Sequence, residues 1–193
     1  MRIERQGRRH EQLTDERTAL EEMTASVIRQ GPVCAPNCER VKCQHCSRTC
    51  PYIAQTLSSD PGRHPLEPKI APLAFEIKKL GVFWPCWSCE GHNDQHNNLT
   101  KMPAVWFYAK SVIHLRVLGE SVADMYYERR LSSPWQVRLC FSDSDNMSTT
   151  FSLEPAPVSS DIMLTALHGD IERIAEEIEL RVMRKAQSIK GIV

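Results

Sequence analysis

The cysteines of this chain constrain its folding more than any other feature. Five lie close together at Cys34, Cys38, Cys43, Cys46 and Cys50, and the surrounding residues 31–72 also carry seven prolines. Proline removes backbone donors and resists both helix interiors and central strands. Such a segment cannot build a conventional core. We therefore expect metal–thiolate bonds to hold residues 31–72 together.

The sequence favours metal binding over a disulfide scaffold. The first residues contain arginines but no apolar core of the kind found in secretory signals, and no run of eighteen apolar residues predicts a membrane span. In a reducing compartment, clustered cysteines act as metal ligands before they form disulfides. We expect a soluble, cytoplasmic protein with no membrane association, and free thiols, redox-active thiols or disulfides are the alternatives to metal.

The charge balance argues against a nucleic-acid partner. The chain has 24 basic and 24 acidic residues, so its formal net charge is zero. Nucleic-acid binders usually show a basic excess or stripe, because phosphate contacts supply much of their affinity. The expected partner is instead a protein or a small polar ligand.

The first cysteine cluster allows several sets of ligands. In one, the pairs Cys34-x3-Cys38 and Cys43-x2-Cys46 form a four-thiolate zinc site and leave Cys50 unused. In another, the C-x2-C pair at 43–46 joins the C-x2-C pair at 86–89, as in a zinc ribbon.

Iron–sulfur binding is the competing interpretation of the same cluster. The spacing C-x2-C-x3-C-P at 43–51 matches the end of the bacterial ferredoxin run, and C-x4-C-x2-C at 38–46 matches the plant-type spacing. Both matches are partial, since position 40, where the bacterial pattern needs a further cysteine, holds Arg40. Zinc is the expected metal, with a [4Fe-4S] or [2Fe-2S] cluster as the alternative.

A second group of ligand residues has the spacing C-x2-C-x2-H-x3-H, formed by Cys86, Cys89, His92 and His96. Two thiolates and two imidazoles are a usual tetrahedral zinc set, and a C-x2-C turn lets both sulfurs reach one ion. Glu90 follows the second cysteine directly. Glu90 and His92 are therefore the candidate catalytic residues if the metal serves a reaction.

Two tryptophans flank this group. Trp84 and Trp87 lie on either side of Cys86, and we expect them to form either a hydrophobic wall of a binding site or part of the core. The isolated Cys140 alternates with apolar residues on a predicted strand, so a buried, unreactive thiol is expected there.

Hydrophobic periodicity predicts the regular elements. Helices are expected at 14–30, 73–80, 111–130 and 161–187, and strands at 82–85, 104–109, 134–141 and 149–153, of which the last two form a hairpin. Residues 90–101 are polar and show no periodicity, so they are expected to form a loop. The last helix carries an apolar stripe of Leu167, Ile171, Ile174, Ile178 and Val182.

This order of elements predicts an α+β fold with a roughly four-stranded, largely antiparallel sheet covered by helices. The expected organisation is an N-terminal helix in residues 1–30, the Cys/Pro-rich metal-binding segment in 31–72 and the α+β domain in 73–193. The expected function is metal binding, with a structural Cys-rich segment and a domain that binds a partner or small ligand. The alternative is a metal-dependent enzyme, hydrolytic or redox, that uses the loop 84–96.

Overall fold

The computed structural model of the protein describes residues 10–28, 66–141, 149–156 and 162–191. The helices of this part are α1 (His10–Ile28), α2 (Ala71–Lys79), α3 (Val112–Tyr127) and α4 (Leu164–Lys190), and the strands are β1 (Phe83–Cys89), β2 (His92–Asn93), β3 (Leu99–Lys101), β4 (Ala104–Ala109), β5 (Trp135–Phe141) and β6 (Thr149–Pro155). No helix of the described ranges has the length and apolar character needed to cross a membrane.

Four strands form one antiparallel sheet in the order β1-β4-β6-β5, and β2 and β3 form a separate two-stranded hairpin. The predicted α+β class and the four-stranded antiparallel sheet are thus confirmed. The predicted β5–β6 hairpin is also present, with Trp135 opposite Pro155 and Phe141 opposite Thr149.

The core lies between one face of the sheet and the helices. Directly paired residues share a face of a sheet, and the pair Val105 and Leu153 is fully buried on this face. Phe83 and Phe107 meet edge to face there, with ring centroids 5.2 Å apart. The predicted stripe of α4 supplies the opposite wall, since Leu167, Ile171, Ile174, Ile178 and Val182 are all fully buried.

Helix α1 joins the same core through a buried histidine. Leu20 and Met23 are fully buried, and the Nε2–H of His114 donates to the Ala19 carbonyl at 2.9 Å. Because that bond requires a proton on Nε2, the Nδ1 of neutral His114 accepts from the Ser111 hydroxyl at 3.1 Å. Burial lowers the pKa of His114 and keeps the ring neutral.

A buried carboxylate fixes the turn that precedes β5. Asp170 on α4 is completely buried and accepts hydrogen bonds from the amides of Ser132 at 2.8 Å and Ser133 at 3.1 Å. It also accepts from the indole nitrogen of Trp135 at 3.2 Å. These three donors and the guanidinium of Arg173, 3.5 Å from Oδ1, satisfy a charge that would otherwise be costly to bury.

Three details differ from the sequence-based expectation. Strand β1 continues to Cys89 instead of ending at position 85, and residues 90–101 contain the β2–β3 hairpin instead of a loop. The expected burial of every second side chain in β5 also fails toward the end of the strand. Trp135 is 3% exposed, whereas Leu139, expected on the same buried face, is 51% exposed. The edge position of β5 leaves Leu139 open, while Cys140 is buried as predicted.

Most of the predicted Cys/Pro-rich segment, including Cys34, Cys38, Cys43, Cys46 and Cys50, lies outside the described residues. Its last residues are described and pack with the sheet domain. Ile70 is fully buried in the common core, and Leu66 packs against that core. This attachment brings Glu67 to the end of β1.

Candidate metal centre

A bulge in β1 decides which side chains share a face of the sheet. Pro85 pairs with Phe107 and Trp87 pairs with Trp106, so Cys86 is an extra residue without a partner on β4. One extra residue in a strand reverses the alternation that follows it. Trp84, Trp87 and Cys89 consequently lie on the face opposite the helices.

The two cysteines of the C-x2-C pair lie on extended strand and not in a turn. Extended strand advances about 3.3 Å per residue, so the Cα atoms of Cys86 and Cys89 are roughly 10 Å apart. Cys86 is exposed, whereas Cys89 is buried. The chelating C-x2-C turn expected from the sequence is thus replaced here by extended strand.

The β2–β3 hairpin brings His92 back to the end of β1. Asp94 organises the turn of this hairpin: its Oδ1 accepts from the amides of His96 and Asn98, each at 2.8 Å. The hydrogen bond from the Asn98 side chain is the main reason why the pKa of Asp94 is lowered. The hairpin places His92 directly opposite Lys101, while His96 lies in the exposed turn.

The carboxylate of Glu67 is held in a fixed orientation beside His92. Its Oε2 accepts from the backbone amide of Glu90 at 2.7 Å, and its Oε1 lies 3.2 Å from the Nε2 of His92. Glu90 in turn accepts from the Lys69 amide at 2.8 Å through its own carboxylate. Its carbonyl also accepts from the Nε2–H of His168 at 2.9 Å. These bonds connect the three chain segments that meet at the site.

Glu67, Cys89 and His92 form a group in which one potential ligand atom from each lies within 4.8 Å of the other two. Two light ligands on a tetrahedral zinc ion, each about 2.0–2.1 Å from the metal, are separated by about 3.3 Å. The 3.2 Å between Glu67 Oε1 and His92 Nε2 agrees with that separation. The group is therefore a candidate set of three ligands for a metal ion.

The group is accessible from one side. The side chains of His92 and Glu67 are 48% and 30% exposed, whereas Cys89 is buried. Burial raises the pKa of the Cys89 thiol and Glu67 raises it further, while a hydrogen bond from Lys101 and a backbone amide act in the opposite direction.

A glycine makes the close approach of these segments possible. Gly91 has a φ of +86°, in the region that L residues rarely adopt, and a Cβ there would lie 2.7 Å from Leu164 Cδ1 and 3.0 Å from the Lys101 carbonyl. Only glycine fits between β1 and β2 without displacing the hairpin that carries His92.

Among the residues singled out from the sequence, the structure brings Cys89 and His92 together and places Glu90 next to them. Cys86 and His96 lie outside this group, and the five cysteines at 34–50 lie outside the described residues. Glu67 and Lys101 were not identified from the sequence. Glu67 is 22 positions before Cys89 in a proline-rich stretch, so no local spacing pattern points to it.

No protein-family model matches the chain, and neither the curated proteins nor the solved structures include a match to it.

Proposed function

We propose that this protein binds a zinc ion through Glu67, Cys89 and His92. The observation that carries the proposal is that Glu67, from a distant part of the chain, meets Cys89 and His92 with one potential ligand atom of each residue within 4.8 Å of the others. Carboxylate, thiolate and imidazole are all common zinc ligands. The hydrogen bond from the Glu90 amide to Glu67 supports the proposal further, because it orients a ligand in the way that outer-shell partners do in metal sites.

The donor set favours zinc over an iron–sulfur cluster at this position. Such clusters are held by thiolates, with histidine as an occasional substitute, whereas this group has one thiol, one imidazole and one carboxylate. An iron–sulfur cluster remains a proposal only for the cysteines at 34–50.

The main alternative is a hydrogen bond between Glu67 and His92 without any metal, since 3.2 Å also suits that contact. Metal content distinguishes the two. The chain offers two matched pairs for the test: Cys89 with Cys86, and His92 with His96. In each pair the residue types are the same, but only the first member belongs to the group.

Zinc per chain should be measured by elemental analysis after dialysis, in the full-length protein and in single variants. We expect Cys89→Ser, His92→Ala and Glu67→Gln each to lose one zinc per chain relative to wild type. Cys86→Ser and His96→Ala should keep the wild-type content. Equal losses in Cys86→Ser and Cys89→Ser would indicate a zinc ribbon and contradict the proposal, and so would unchanged zinc in Cys89→Ser.

An enzymatic role is the second candidate, and the exposure of His92 and Glu67 favours it. Three protein ligands and an accessible fourth position are typical of catalytic zinc, whereas structural zinc usually has four protein ligands. In cobalt-substituted protein, an accessible position would bind azide and change the visible spectrum. An unchanged spectrum would favour a structural site with four protein ligands.

A further inference from the structure

The face of the sheet that lies opposite the helices is lined by aromatic side chains. Trp84 pairs with Tyr108 across β1 and β4, and Trp87 pairs with Trp106. The rings of Trp87 and Trp106 are 4.9 Å apart between centroids. Trp84 is 49% exposed and Trp87 is 40% exposed. We call Trp84, Trp87, Trp106 and Tyr108 the aromatic face.

The exposure of Trp84 and Trp87 is unusual for side chains of their size. Tryptophan buries more apolar surface than any other residue type when it packs, and contiguous exposed apolar surface commonly marks a binding site. The fourth tryptophan of the chain, Trp135, illustrates the contrast, because it is only 3% exposed and donates to Asp170.

Lys101 connects the aromatic face to the proposed zinc site. Its Nζ lies 4.8 Å from the ring centroid of Trp87, and Lys101 is directly opposite His92 in the β2–β3 hairpin. In the described residues, no carboxylate forms an ion pair with Lys101. The positive charge of Lys101 is therefore not neutralised by any carboxylate in this part of the chain.

The distances between Lys101, Trp87 and Cys89 limit the size of a ligand that contacts all three. Trp87 and Cys89 are two positions apart on one face of β1, which places their Cα atoms about 6.5 Å apart. An anion beside Lys101 would then be within reach of the zinc, and a flat group attached to it by a few bonds would cover the indole of Trp87. Aromatic side chains bind such groups by stacking.

We propose that the aromatic face and Lys101 bind a small planar aromatic molecule that carries a carboxylate or phosphate group. The anionic group lies beside Lys101 and the zinc site, and the ring stacks on Trp87. This assignment of a ligand class rests on the proposed zinc function. An exposed indole beside an ammonium that no carboxylate of the described residues pairs with favours an aromatic anion over neutral or cationic ligands.

The zinc-loaded full-length protein allows the test to be made residue by residue. Naphthalene-2-carboxylate and uridine monophosphate serve as the carboxylate and phosphate probes, and naphthalene-2-carboxamide and uridine as their uncharged controls. Indole N–H signals in a ¹⁵N–¹H spectrum report on all four tryptophans. At least one anionic probe should shift the signals of Trp84, Trp87 and Trp106 and leave that of Trp135 in place, and the probe that binds more tightly identifies the anionic group.

Variants then separate the roles of the contacts. Trp87→Ala should weaken binding about tenfold through the loss of stacking, and Lys101→Gln should weaken it about tenfold through the loss of the charged donor. Arg116→Gln, which removes an exposed cation from helix α3, should leave the affinity unchanged.

The zinc content should be measured in the same samples, because it distinguishes a failure of the ligand proposal from a failure of the zinc proposal. If zinc-loaded wild-type protein binds neither anionic probe, or binds the neutral controls equally well, the ligand assignment is wrong while the zinc proposal stands. If wild-type protein contains no zinc, or if Cys89→Ser contains as much zinc as wild type, both the zinc proposal and the ligand assignment are wrong.

Discussion

Replacing Asp170 by alanine should strongly destabilise the fold, because this carboxylate is completely buried on helix α4. The substitution removes the acceptor for the amides of Ser132 and Ser133 and for the indole of Trp135. Ser132 is exposed, so its amide can turn to water, whereas Ser133 and Trp135 are buried. Two buried donors would be left unsatisfied.

Each buried donor without a partner costs about 1–3 kcal/mol, so Asp170→Ala should lower the free energy of unfolding by about 2–6 kcal/mol. Asp170→Asn keeps one acceptor oxygen, which can face the two buried donors, and should cost about 1–3 kcal/mol. The exposed Glu172 on the same helix provides the control, and Glu172→Ala should change stability by less than about 0.5 kcal/mol.

Urea denaturation followed by circular dichroism measures these differences, provided that the slope of the transition is unchanged between variants. A loss below about 1 kcal/mol for Asp170→Ala would refute the reasoning, since it would mean that water or another group satisfies both donors. Equal losses for Asp170→Ala and Glu172→Ala would show that the effect belongs to the helix and not to the buried carboxylate.

Three further predictions concern other parts of the structure. Gly91→Ala should abolish the Cys89-dependent zinc and lower the melting temperature, because its Cβ would collide with Leu164 at a positive φ; unchanged zinc content would contradict the packing described for this turn. Because the pKa of His114 is lowered in the folded protein, the unfolded chain binds a proton at this residue more readily than the folded chain does. The free energy of unfolding should therefore have its full value above a pH of about 6.5 and decrease as the pH falls below that value. His114→Gln should flatten this pH dependence in denaturation curves, and an equally steep curve would assign the effect to another group. Cys140→Ser should leave the zinc content unchanged, because Cys140 lies outside the metal group, and a loss of zinc would show that this buried thiol is a ligand.

Much of the fold follows from the sequence because the periodic signals are strong. The stripe on α4 and the β5–β6 hairpin are local patterns, and the structure has both. Strand β4 coincides with the predicted residues 104–109. Such elements need no knowledge of distant contacts, since burial of one apolar face is sufficient to define them.

The errors in the fold have a common physical origin in local irregularity. Pro85 and the cysteines of β1 suggested that the strand ends at position 85, but the bulge at Cys86 accommodates the irregular residues within a continuing strand. The short hairpin at 92–101 has few apolar residues, and the side chain of Asp94 orders its turn. Hydrophobic periodicity does not register a hairpin organised by a polar turn.

The candidate site could be predicted only in part because it joins distant segments. Cys89 and His92 were identified from their spacing, but the same spacing also suggested Cys86 and His96. Strand geometry, which the sequence does not show, determines that Cys89 and His92 meet Glu67. Residue spacing can identify ligands that are close together in the sequence. It cannot identify a carboxylate, such as that of Glu67, that is distant in the sequence and close only in the fold.

The most direct test of the zinc site is a crystal structure of the zinc-loaded protein with data collected on both sides of the zinc absorption edge. The account predicts an anomalous peak about 2.0–2.1 Å from Glu67 Oε1 and a His92 ring nitrogen and about 2.3 Å from Cys89 Sγ. A map that shows no zinc at this group, or that shows the zinc bound by Cys86 or His96, would contradict it.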